Sequence, residues 1–134
     1  MNHFPTVITV RFRAYHTTRP LSDVVSVLGR AELERSIDDD AGEDDGTPLT
    51  VWVREIVPST STDPLTDAAS WMIDHNQQVE QLCLDNWELH LDIDMVARDP
   101  ISSLVVPHRL MQEVSRHQCL SLEFSVYPKP NLMP

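Results

Sequence analysis

The segment "WELHLDIDM", Trp87 to Met95, alternates apolar and polar residues without a fault. Side chains on a strand point to opposite faces in turn. Trp87, Leu89, Leu91, Ile93 and Met95 therefore share one face, and Glu88, His90, Asp92 and Asp94 share the other. A helix cannot keep that period. The chain must build a sheet with one buried face and one wet face, and other apolar segments must cover the first.

Those segments are present. "VITVRFRAY" (7–15) alternates in the same manner, with Ile8, Val10, Phe12 and Ala14 opposite Thr9, Arg11 and Arg13. "AELERSI" (31–37) and "TPLTVWVREIV" (47–57) read as two strands of a hairpin. "CLSLEFSVY" closes the set, with Leu120, Leu122, Phe124 and Val126 on one face. Leu21, Val24, Val25 and Leu28 recur at helical spacing, and Gly29 supplies a stop.

A longer helix, roughly 20 residues by its apolar stripe, starts at Thr62 or Asp63. Pro64 suits its first turn and Asp67 its positive dipole end. Leu65, Ala68, Ala69, Met72, Ile73, Val79, Leu82 and Cys83 make its stripe. A third helix opens at Pro107 and turns Leu110, Met111 and Val114 inward. The order β-α-β-β-α-β-α-β predicts an α+β fold: a single domain over residues 1–134, with a largely antiparallel five-stranded sheet and helices on one face. Trp52, Trp71 and Trp87 are expected in its core. The proline-rich tail 128–134 cannot continue a strand.

The formal net charge is -11, unevenly placed. Residues 1–35 hold five arginines against Asp23, Glu32 and Glu34, so the negative charge lies in the rest. Nucleic acid and anionic membranes both attract basic patches, so neither is an expected partner. A basic protein is. The densest charge is "DDDAGEDDG" (38–46), the expected hairpin loop, where Asp38, Asp39, Asp40, Glu43, Asp44 and Asp45 occur without a cation. Counted from Asp38, this run puts Gly42 and Glu43 where a calcium-binding loop needs a ligand and glycine. It reads instead as a solvated acidic arm.

Catalytic signatures are sparse. Three glycines in the whole chain leave no room for a nucleotide-binding or nucleophile-elbow motif. The histidines outside the sheet row show no zinc spacing. Glu88, His90 and Asp92 form a row on one strand face, which could serve as a metal site, acid–base machinery or an acidic stripe with Asp94. Arg11 and Arg13 are expected to pair with carboxylates of a neighbouring strand. Cys83 and Cys119 are expected as buried free thiols, since neither sits in a CxxC pair. The start "MNHFPTVITV" shows no secretory pattern and no stretch reaches the roughly 18 apolar residues of a membrane span, so a cytoplasmic location is expected.

The strand "VITVRFRAY", the helix ending "VLGR", the strand "VWVREI", the long helix, the W-x-L-x-L-x-I strand, the "VPHRLMQEVSRH" helix and the closing "LSLEFSVYP" resemble a family. It is a family of small bacterial proteins of unknown function, and the similarity spans residues 6 to 128. Small acidic α+β proteins of this kind are similar to immunity proteins of bacterial toxin systems. The resemblance implies a fold and no catalytic residues.

The expected function is therefore non-enzymatic: an acidic binding protein without a metal or cofactor, an immunity protein that neutralises a cognate toxin. The loop carboxylates and Glu88, Asp92 and Asp94 are its expected contact residues. The alternatives are a metal- or ligand-binding domain or enzyme on Glu88, His90 and Asp92, and a housekeeping domain that dimerises through its first or last strand.

Overall fold

The computed structural model describes residues 7–37, 49–58, 60–97 and 105–128. The acidic run 38–46 and the tail beyond Pro128 lie outside them. Nine elements follow in order: β1 (Val7–His16), α1 (Leu21–Leu28), β2 (Leu33–Arg35), β3 (Thr50–Glu55), α2 (Pro64–Asp74), α3 (Asn76–Leu84), β4 (Glu88–Ala97), α4 (His108–Ser115) and β5 (Leu120–Pro128). The five strands form one sheet in the order β2-β3-β1-β4-β5. Every neighbouring pair is antiparallel except β4 and β5, which run parallel and are joined through α4. The α+β architecture expected from the alternation is the one observed. β1 is central, so of the two strands proposed as dimer edges only the last, β5, lies at one.

The alternation in β1 and β4 sorts as it must. Val10, Phe12 and Ala14 of β1 and Leu89, Leu91 and Ile93 of β4 are fully buried, and their odd-even partners are not. Val24 of α1, Met72 of α2, Val79 of α3 and Leu110 of α4 join them in one core cluster. Burying each Leu, Ile or Val of this cluster is worth about 1.5–3 kcal/mol. Trp52 and Trp87 are buried, and Trp71 packs at the edge of the core against Phe12.

Gly29 ends α1 at φ 88°, a conformation that side chains resist. Its N–H donates to the Val25 carbonyl at 2.8 Å. The carbonyls left over at this helix end are taken by the sheet: Trp52 Nε1 donates to Gly29 at 2.9 Å and Arg54 Nη1 to Leu28 at 3.2 Å. At the other end, Ser36 Oγ accepts from Leu21 N at 3.0 Å, which caps α1 from the chain following β2.

Four expectations need correction. The long helix is two helices, broken at His75 (φ -112°, ψ 19°). His75 stacks on Trp71 at 4.1 Å, and its Nδ1 donates at 2.8 Å to the Trp71 carbonyl, which also accepts the His75 backbone N–H at 3.0 Å. Met111 does not face inward but is 46% exposed, because α4 buries Leu110, Glu113 and Val114 instead. The strand expected over 31–37 shrinks to three residues. Its flanks bond to side chains in place of a ladder, with Ala31 N donating to Glu34 Oε2 and Ile37 N to Thr50 Oγ1.

The fourth correction concerns the cysteines. Cys83 and Cys119 are joined in a disulfide, with Cα atoms 5.6 Å apart. The fold brings the end of α3 beside the turn into β5, where Leu89 N donates to the Cys119 carbonyl at 3.3 Å. Nothing in the local sequence of either cysteine carries that proximity.

Candidate functional site on the uncovered sheet face

The helices cover one side of the sheet, and among the described residues no element covers the other. Its side chains follow from the register. Leu33 of β2 lies beside Val53 of β3, Val53 beside Arg13 of β1, Arg13 beside His90 of β4, and His90 beside Ser121 of β5. The adjacent rows carry Arg35, Val51, Tyr15 and Glu88 on one side, and Glu55, Arg11, Asp92 and Glu123 on the other. At the β2–β3 end this face carries Leu33, Val51 and Val53 between Arg35 and Glu55, and across β1, β4 and β5 it is mainly charged.

The charged half is an ion-pair network centred on Arg13. Each arginine reaches diagonally across the β1–β4 pair. Arg11 Nη1 donates to Asp94 Oδ2 at 2.7 Å, and Arg13 Nη2 donates to Asp92 Oδ1 at 3.0 Å while its Nε faces Asp92 Oδ2. Arg13 also donates to Glu123 Oε2 at 3.2 Å and to the Tyr15 hydroxyl at 2.6 Å, and lies over the Tyr15 ring. Its partial burial alone would lower its pKa. The hydrogen bonds to Asp92 and Tyr15 and the Asp92 charge outweigh that, and the net shift is upward from the ordinary arginine value. The guanidinium is therefore charged at every working pH, and its pairing is retained until pH rises past the ordinary arginine range.

His90 is held between carboxylates. Its Nε2 bonds Glu88 Oε2 at 2.6 Å, and its Nδ1 lies 2.5 Å from Glu123 Oε2. Tyr15 meets the ring edge-on at 5.7 Å. One oxygen, Glu123 Oε2, thus joins Arg13 to His90 and ties three strands together. Glu123 is the member that sequence reasoning missed. It is a single acid in an apolar strand, and its role shows only once β5 is known to run parallel beside β4.

Of the residues expected to contact a partner, the structure brings Glu88, Asp92 and Asp94 onto this face in unlike roles. Asp92 and Asp94 are 15% and 17% exposed and are occupied by the arginines, whereas Glu88 is 68% exposed. The acidic arm residues Asp38, Asp39, Asp40, Glu43, Asp44 and Asp45 lie outside the described residues. Glu88, His90 and Asp92 do stand together, but Asp92 is turned to Arg13. Among the described residues, no three His, Cys, Asp or Glu side chains are placed to hold a metal ion.

Beside the network lies a shallow depression of about 460 Å³. Val51, Val53 and Leu33 give it an apolar lining, Tyr15 and Arg13 border it, and Glu32 and Glu55 contribute carboxylates. An apolar centre with Tyr and Arg beside it and charge at the rim is the composition of protein interfaces. Chemically, this face can bury apolar side chains and present paired charge in fixed positions. Among the described residues, no helix is long and apolar enough to cross a membrane. No family model, curated protein or solved structure matches the chain.

Proposed function

We propose that the chain is a non-enzymatic protein-binding domain that docks a basic partner on the uncovered sheet face. In its most specific form it is an immunity protein that binds and neutralises a cognate bacterial toxin. The observation that carries this reading is the Val51–Val53–Leu33 depression bordered by Tyr15 and Arg13. Supporting it is the excess of carboxylates on that face, of which Glu32, Glu55 and Asp92 line the depression. The face sets Arg11, Arg13 and Arg35 against Asp92, Asp94, Glu55, Glu88 and Glu123, a negative balance. The net charge of -11 adds a long-range field of the same sign. Such a field raises association rates above the roughly 10⁵–10⁶ M⁻¹s⁻¹ of uncharged pairs and orients the encounter. The acidic arm 38–46 extends that attraction. A toxin that acts on nucleic acid carries a basic cleft, which is the complementary surface.

The test is capture from the native host at low salt, using the natural chain and a Glu88→Lys/Glu123→Lys variant side by side. A basic protein retained by the first, released by salt and at least tenfold weaker on the second is the expected result. Equal retention by both would remove the charged face from the reading.

A further inference from the structure

The two edges of the sheet are built differently. β2 has three residues, and Glu34 and Arg35 are two of them. Short, charged strands are how proteins keep sheet edges from pairing. β5 has nine residues, "LSLEFSVYP", with Glu123 its one charge and no proline before Pro128. Its outer side presents alternate N–H and C=O groups that no described strand takes up. The side chains along the same stretch are apolar and exposed: Phe124 at 45%, Val126 at 61% and Tyr127 at 51%.

We propose that two copies of this chain join through β5, antiparallel about a two-fold axis at Phe124, to make one continuous ten-stranded sheet. The sequence of β5 is complementary to itself in that register. A two-fold axis perpendicular to the sheet keeps helix side with helix side, so it must pass through a residue. Phe124 is the middle of the Leu120–Pro128 strand, so an axis there overlaps the two strands along their whole length. On the helix side, Leu122 meets Val126 of the second copy and Phe124 meets its own counterpart, pairs of the kind that stabilise antiparallel sheets. On the other side, Ser121 meets Tyr127 of the second copy and Glu123 meets Ser125. Glu123 therefore never opposes itself, and its carboxylate is already bound by Arg13 at 3.2 Å. An axis at Glu123 would set like charges face to face. Pro128 ends the pairing because it has no N–H to give.

This dimer is independent of the partner proposed for the uncovered face, and salt separates the two. Two copies of net charge -11 repel each other, so added salt strengthens the dimer, whereas it weakens the complex with a basic protein. The experiment is sedimentation equilibrium on the full chain from micromolar to millimolar concentration, at low and at moderate salt. Three variants accompany it: Val126→Lys, Phe124→Lys and Leu84→Lys. All three replace exposed side chains, so circular dichroism melts should show folded protein for each. A concentration-dependent dimer that salt strengthens is the expected result. Val126→Lys should weaken it roughly tenfold or more, since each substitution counts twice across the axis. Phe124→Lys should abolish it, and Leu84→Lys, on α3, should leave it unchanged. A chain that stays single over the whole range would overturn the inference, including one that binds extended peptides on β5 instead. So would a dimer that neither β5 variant alters.

Discussion

On the helix side of β4, Leu89, Leu91 and Ile93 are sealed from water, while on the other side His90, Asp92 and Asp94 stand half-buried among charged neighbours. The two sets alternate along one strand, yet they contribute differently. The first removes apolar area from water, at about 25 cal/mol per Å². The second exchanges hydrated charges for paired ones, and at partly exposed positions such pairs return about 0–1 kcal/mol each. A network of that size is a poor explanation of stability. It is a good explanation of fixed position, because Arg13 is bound at once by Asp92, Glu123 and Tyr15 on three strands. The contrast assigns holding the fold to the helix side, and the proposed function gives the other face its partner.

Substitutions can break that contrast. Leu91→Ala leaves a cavity in the core and should cost about 2–5 kcal/mol in urea unfolding. Arg13→Met should cost only about 1 kcal/mol, while weakening partner capture strongly. Equal losses of stability from the two changes would mean that the uncovered face is structural after all.

Between them falls the covalent clasp. Cys83 and Cys119 are 36 residues apart in sequence, and closing a loop of that size restricts the unfolded chain. A Cys83→Ser/Cys119→Ser variant, or the natural chain in reducing buffer, should unfold about 2–4 kcal/mol more easily. Unchanged melting under reduction would show that the packing of α3 against the sheet suffices alone. Reducing compartments hold such pairs as thiols, so the expectation of a cytoplasmic protein carries with it a domain less stable by that amount.

That Arg11 and Arg13 pair with carboxylates of a neighbouring strand was legible in the sequence, because alternation puts them on the wet face where opposite charge is available, but that the strand is β4 was not. The covered face was legible for the same reason. The break at His75 was not, since the apolar stripe runs on through Val79 and Leu82, and the His75–Trp71 stack found there is a property of side-chain geometry. The role of Glu123 and the disulfide were hidden by one fact, the parallel placement of β5 beside β4. Sequence periodicity reports which face a residue occupies, and it says nothing about which strand lies alongside. The depression formed by Val51, Val53 and Leu33 was hidden too, because its residues come from strands whose boundaries shifted.

The most direct measurement of the central claim is methyl NMR of the domain titrated with the captured basic partner. Leu33, Val51 and Val53 report on the uncovered face, and Leu84 and Met111 report on exposed positions among the helices. The account predicts that the partner shifts the first three methyl sets and leaves the other two in place. Shifts confined to Leu84 and Met111, with the sheet face silent, would contradict it.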